Sequence, residues 1–187
     1  MVDAVMAATD PRLALRARAI GAMIFATFGT AWMALWNFRA ARDRVWVYLL
    51  VAVLGALLFL SARRCYRRCE LANAREADTP ERRRRERWFH IINAAQWLLI
   101  LIVANVLLNI GEGARVLPAV VLIIGLHFLP LGRLFDYRGH YLTGCALMAA
   151  ALLSDPIVCL AAGLILWASA LAGLLVATAR GDFLNES

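Results

Sequence analysis

Six side chains able to bind a ligand or move a proton recur at regular spacing in an otherwise apolar chain. They are His90, Asn93 and Gln96 in one stretch, and His127, Arg133 and Asp136 in another. Spacing by threes keeps each set on neighbouring faces of a helix. Pro130 interrupts the second set: it has no backbone N–H, so the carbonyl of Leu126 loses its usual helical partner and stands beside His127. An unpaired histidine is costly in hydrocarbon, which makes that carbonyl, Gln96 or a bound water the expected contact of His127. An antiparallel hairpin turning near Gly113 would set residues whose numbers sum to about 226 at one depth. His90 then meets Asp136, Asn93 meets Arg133, and Gln96 lies about one turn from His127, forming a polar cleft open to one membrane face. Three roles fit such a cleft, in descending order: mutual hydrogen bonding that fixes helix register, a site for a substrate, ion or lipid headgroup, and catalysis.

The remaining chemistry-bearing residues imply neither metal nor cofactor. His90, His140, Cys65 and Cys69 all belong near the same membrane face, but a CxxxC pair flanked by arginines is a weak metal or redox signal. A membrane haem needs two ligands at similar depth, whereas His127 is expected about 10 Å deeper than His90 or His140. The four cysteines form no secreted disulfide framework and read as free thiols. Arg82, Arg83, Arg84 and Arg85 open an RRRRER run that reads first as a topology determinant and then as a contact for anionic lipid headgroups. Nucleic acid is disfavoured, because Glu70, Glu76, Asp78, Glu81 and Glu86 dilute the charge and no aromatic residues interleave it.

Long apolar segments must position these groups. The chain has 187 residues, 63% of them hydrophobic, and a mean hydropathy of +0.69, which is too apolar for a soluble domain. Stretches 19–38, 45–62, 89–110, 116–135 and 156–179 each approach or exceed the roughly 20 residues that cross a bilayer as a helix. A sixth, 141–153, covers only about 20 Å and is read as a short span. The expected fold is an all-α membrane protein: one transmembrane domain over 1–187, a six-transmembrane-helix bundle of three helical hairpins turning at ARD, GEGAR and SDP.

The net charge of +7 belongs to the loops. Arg12, Arg16, Arg18, the ten arginines of 63–87, Arg133, Arg138 and Arg180 would share one side, against Arg39, Arg42, Arg44 and Arg115 on the other. The positive-inside rule places both termini in the cytoplasm. The segment SARRCYRRCELANAREA should continue the second span as a helix, with Thr79, Pro80 and Glu81 as N-cap, N1 and N2 of the next, making 63–88 a basic cytoplasmic helical hairpin. Small residues at every fourth position, Ala22, Ala26, Thr30 and Ala34, then Ser169, Gly173 and Ala177, mark helix contacts within the bundle or, as the alternative, a homo-oligomer or membrane-protein partner. Trp32, Trp36, Trp46, Trp88 and Tyr48 read as interfacial anchors, and Asn105 and Asn109 as donors across helices. Arginine-rich, lysine-free composition suits a GC-rich bacterial genome and hence a bacterial cytoplasmic membrane.

At GLHFLPLGRLF followed by HYLTG, the chain resembles uncharacterised small bacterial integral membrane proteins that carry a GLHFLPLA-like segment and then a short tyrosine-containing span. The resemblance covers 125–144, implies a helical membrane protein without assigned activity, and supplies no catalytic residue. Gly132 stands where that segment has alanine. Function is thus read as a non-enzymatic accessory, scaffold or small binding protein with its cleft between the third and fourth spans. A small-solute or ion transporter using His127 and Arg133 is the runner-up, and a lipid-acting membrane enzyme comes third.

Overall fold

Apolar runs without internal helix breakers become helices wherever they are long enough to satisfy their own backbone. The computed structural model describes residues 11–40, 44–71 and 79–185, with side chains except at 11–14, 69–71 and 177–185. The helices are α1 (Pro11–Arg39), α2 (Val45–Leu71), α3 (Pro80–Asn109), α4 (Val116–Leu134), α5 (Arg138–Ala150) and α6 (Ile157–Asn185), with a 3-10 turn at Gly113–Arg115 before α4. No strand occurs among the described residues. Five segments, Leu15–Arg39, Val45–Arg68, Pro80–Asn109, Gly113–Leu134 and Ile157–Val176, are long and apolar enough to cross a membrane. With 13 residues, α5 is about 20 Å long.

The basic segment follows its local chemistry. α2 runs on past its apolar stretch to Leu71. α3 begins where expected: Thr79 is the N-cap, its hydroxyl accepting from the Arg82 amide at 3.2 Å, and Pro80 follows in the first turn. The ARD turn at 41–43, the link at 72–78 and the side chains of Cys69 and Ala177 lie outside the described residues.

α1 is the hub, packing on α2 and most extensively on α6, while α6 also touches α2, α4 and α5. Ala19, Ala22, Ala26, Trp32 and Met33 repeat along one buried stripe of α1. The expected small-residue stripe therefore lies in the bundle: Ala26 is fully buried, its carbonyl accepting from the Trp167 indole of α6 at 3.4 Å, and Thr30 sits against Gly55 of α2. In α6, Gly173 is buried and Ser169 bonds to Thr143 of α5 at 2.8 Å. Trp46 and Trp88 are exposed as interfacial anchors would be, but Trp32 is in the core, because its position on the α1 stripe outweighs its place near a helix end. Asn109 bonds within α3 to the side chain and carbonyl of Asn105, since i,i+4 neighbours reach each other before another helix.

The second half packs around α4, which touches α5 and α3. Gly125 and Gly144 let α4 and α5 cross at backbone contact: a Cβ on Gly144 would lie 2.7 Å from the Gly125 carbonyl oxygen. Among the described residues α3 touches only α4 and the 3-10 turn, and none of its residues is buried. At the end of the bundle opposite Arg18, Arg39 of α1 pairs with Asp155 in the turn before α6.

Candidate functional site

The α3/α4 pairing brings the Phe89 and Phe135 rings to 5.9 Å, a register within about two residues of the one expected for His90 and Asp136. Among the described residues, however, no hydrogen bond or ion pair joins the polar members of the two series. Asn93 donates to the carbonyl of Phe89 on its own helix at 2.7 Å. His90 is exposed with its ring beside Phe89, Gln96 is half-buried, and Arg133 and Asp136 are exposed. Asp136 takes a left-handed backbone with φ 47°, and the next amide, that of Tyr137, bonds back to the Gly132 carbonyl at 3.0 Å. This is a helix-ending turn that aspartate tolerates better than most residues, and it sends the chain directly into α5.

His127 bonds neither Gln96 nor the Leu126 carbonyl: both its ring nitrogens are buried without a hydrogen-bond partner. Its ring rests against Phe128 at 5.4 Å, and Phe128 in turn stacks on His140 of α5 at 5.6 Å with an interplanar angle of 27°. His140 is enclosed by Phe25 of α1, Phe135 and Tyr137 at 6.3, 6.1 and 5.1 Å. Its Nδ1 is also buried and unpartnered. Above Tyr137 lies the guanidinium of Arg18, 5.5 Å from the ring centroid, with Nη1 buried and unpartnered.

The site is therefore an aromatic box at one end of α1, α4 and α5, in which two imidazoles and a guanidinium have unused hydrogen-bonding capacity. A neutral imidazole offers one donor and one acceptor, and a guanidinium offers donors alone. Together they suit a ligand rich in oxygen, with negative charge facing Arg18. His140 and Arg18 were not among the residues singled out for the cleft. Their signal lay in DYRGH, where a turn follows the proline-bearing helix, and in the seven-residue spacing of Arg18 and Phe25, which puts both on one face of α1.

Arg82 pairs with Glu86 at 2.9 Å one turn along α3, Arg83 and Arg84 are exposed, and Arg85 is half-buried. Among the described residues Cys65, Cys145 and Cys159 form no disulfide. Among the described residues no three His, Cys, Asp or Glu side chains come together as metal ligands. No protein-family model, curated protein or solved structure matches the chain.

Proposed function

We propose that this chain is a six-span protein of a bacterial cytoplasmic membrane, made of three helical hairpins with both termini in the cytoplasm, and that it acts as a non-enzymatic binding protein. The arginine distribution supports the orientation. The resemblance at 125–144 and the lysine-free composition support the bacterial membrane. In this orientation Arg18, Tyr137 and His140 lie at the cytoplasmic end, with His127 deeper along α4.

One observation carries the binding role: the buried, unpartnered nitrogens of His127, His140 and Arg18 lie around a single set of aromatic rings. Leaving one such group unpaired costs about 1–3 kcal/mol, so three together favour a ligand that pairs them. Packing supports binding over transport through His127 and Arg133, because beyond His127 the core is the apolar layer of Val121, Ile123, Val158 and Ala162, all buried.

The test uses the full chain in nanodiscs, with His127→Gln and His140→Gln compared with the parent protein. Thermal unfolding is measured alongside mass spectrometry of co-purified molecules. Both variants should keep the fold and lose bound ligand, because glutamine preserves polarity but not imidazole geometry. Stability loss with no change in bound molecules would reduce the cluster to a packing role. Gradient-driven flux in proteoliposomes, abolished by His127→Gln, would support the transporter instead.

A further inference from the structure

We infer that the groove between α5 and α6, which adjoins this site at Tyr137 and Phe25, holds one acyl chain of an anionic glycerophospholipid from the cytoplasmic leaflet, with its phosphate at Arg18. The inference rests on the binding reading above for Arg18 alone and names a ligand for that end of the site. The groove has a volume of about 320 Å³, at the small end of ligand-sized pockets. Tyr137 and Gly139 line one end, Ala146 and Ile165 the other, and Ala168 and Ala172 the α6 wall. From Ala172 to Ile165 the wall runs about 10 Å along the helix, from the cytoplasmic end towards the bilayer middle in the proposed orientation.

Small side chains make this depression. Its polar atoms are already satisfied: the Thr143 and Ser169 hydroxyls bond to each other at 2.8 Å, and each is also within hydrogen-bond reach of its own helix backbone, at Gly139 and Ile165. Between Gly139 and Ala172 the groove thus offers apolar groups and hydroxyls that are already bonded, as an acyl chain requires. Its mouth has a different character. Tyr137 lines the groove and carries Arg18 on its ring. Phe25, another lining residue, lies two turns from Arg18 on the same face of α1.

Charge complementarity selects the occupant. The guanidinium of Arg18 lies over the Tyr137 ring at the mouth, and its unpartnered Nη1 is the donor offered to a phosphate oxygen there. A zwitterionic lipid fills the groove equally well but brings a cationic group beside this arginine. A free phosphate satisfies Arg18 but leaves the apolar groove unused. Both features are met by an anionic lipid.

The test reconstitutes the full chain in nanodiscs containing equal phosphatidylglycerol and phosphatidylcholine, then counts retained lipids by native mass spectrometry after release. The parent protein should keep one phosphatidylglycerol with roughly fivefold preference, the size of one arginine contact near a membrane surface. Arg18→Gln should abolish the preference. Ala168→Leu and Ala172→Leu, both at exposed positions that leave the core untouched, should reduce retention of either lipid while leaving thermal stability unchanged. Equal retention of the two lipids by the parent, or retention unaffected by the leucine variants, overturns the inference. Displacement by millimolar inorganic phosphate, with the leucine variants silent, overturns it in favour of a soluble anion. In those cases a ligand lost in His127→Gln and His140→Gln still leaves the binding reading standing, whereas a parent protein that retains nothing removes both.

Discussion

Gly144→Ala tests the α4/α5 crossing that assembles the site. A methyl group there would sit 2.7 Å from the Gly125 carbonyl oxygen and 3.0 Å from the Phe128 Cβ, against ordinary contact from 3.4 Å outwards. The obstacle at Gly125 is backbone, so no rotamer relieves it and the two helices must move apart. Overpacking of this kind costs about 1–3 kcal/mol, offset by about 0.5–1 kcal/mol because alanine is the better helix former. The expected net loss is about 1 kcal/mol. Gly21→Ala is the control: nothing lies within 4 Å of its added Cβ, so it should gain about 0.5–1 kcal/mol. Reversible unfolding in mixed micelles measures both. The clash also presses on Phe128, so the stacked His140 ring should show altered NMR shifts in Gly144→Ala and unchanged ones in Gly21→Ala. Gly144→Ala as stable as Gly21→Ala, with His140 undisturbed, would refute a close crossing.

Two further outcomes follow from the charges at the helix ends. With Cys65 half-buried beyond the apolar part of α2, a membrane-impermeant thiol reagent should miss it in intact cells and reach it after permeabilisation; strong labelling from outside reverses the orientation. Arg39→Ala should destabilise by about 1 kcal/mol, because it strips Asp155 of its partner while the other carboxylate oxygen is already buried and unpaired. A double-mutant cycle with Asp155→Ala checks this, and coupling near zero rejects the pair as a fastening of α1 to the turn.

The helices were legible because their causes are local. Apolar length marked the long segments, and Thr79 followed by Pro80 marked the start of α3 to the residue, since a hydroxyl acceptor and a missing N–H act over one turn. Side-chain direction at the site was not legible in the same way. Counting along one hairpin aimed His127 at Gln96, but α4 has a second neighbour, and α5 comes close only because Asp136 reverses the chain and Gly125 meets Gly144. These are contacts between elements, invisible to the periodicity of either. Trp32 makes the same point from the other direction: its position along α1 suggested the interface, while its azimuth put it inside.

The pairing of α1 with α6 also bears on biogenesis. α1 has its most extensive neighbour in α6, which is synthesised after it, so until α6 follows, Gly29 and Ala26 face lipid or an insertion partner instead of Trp167 and Gly163. α2 can shelter only part of α1 meanwhile. A chain stalled before α6 therefore leaves its hub helix uncovered along the small-residue seam.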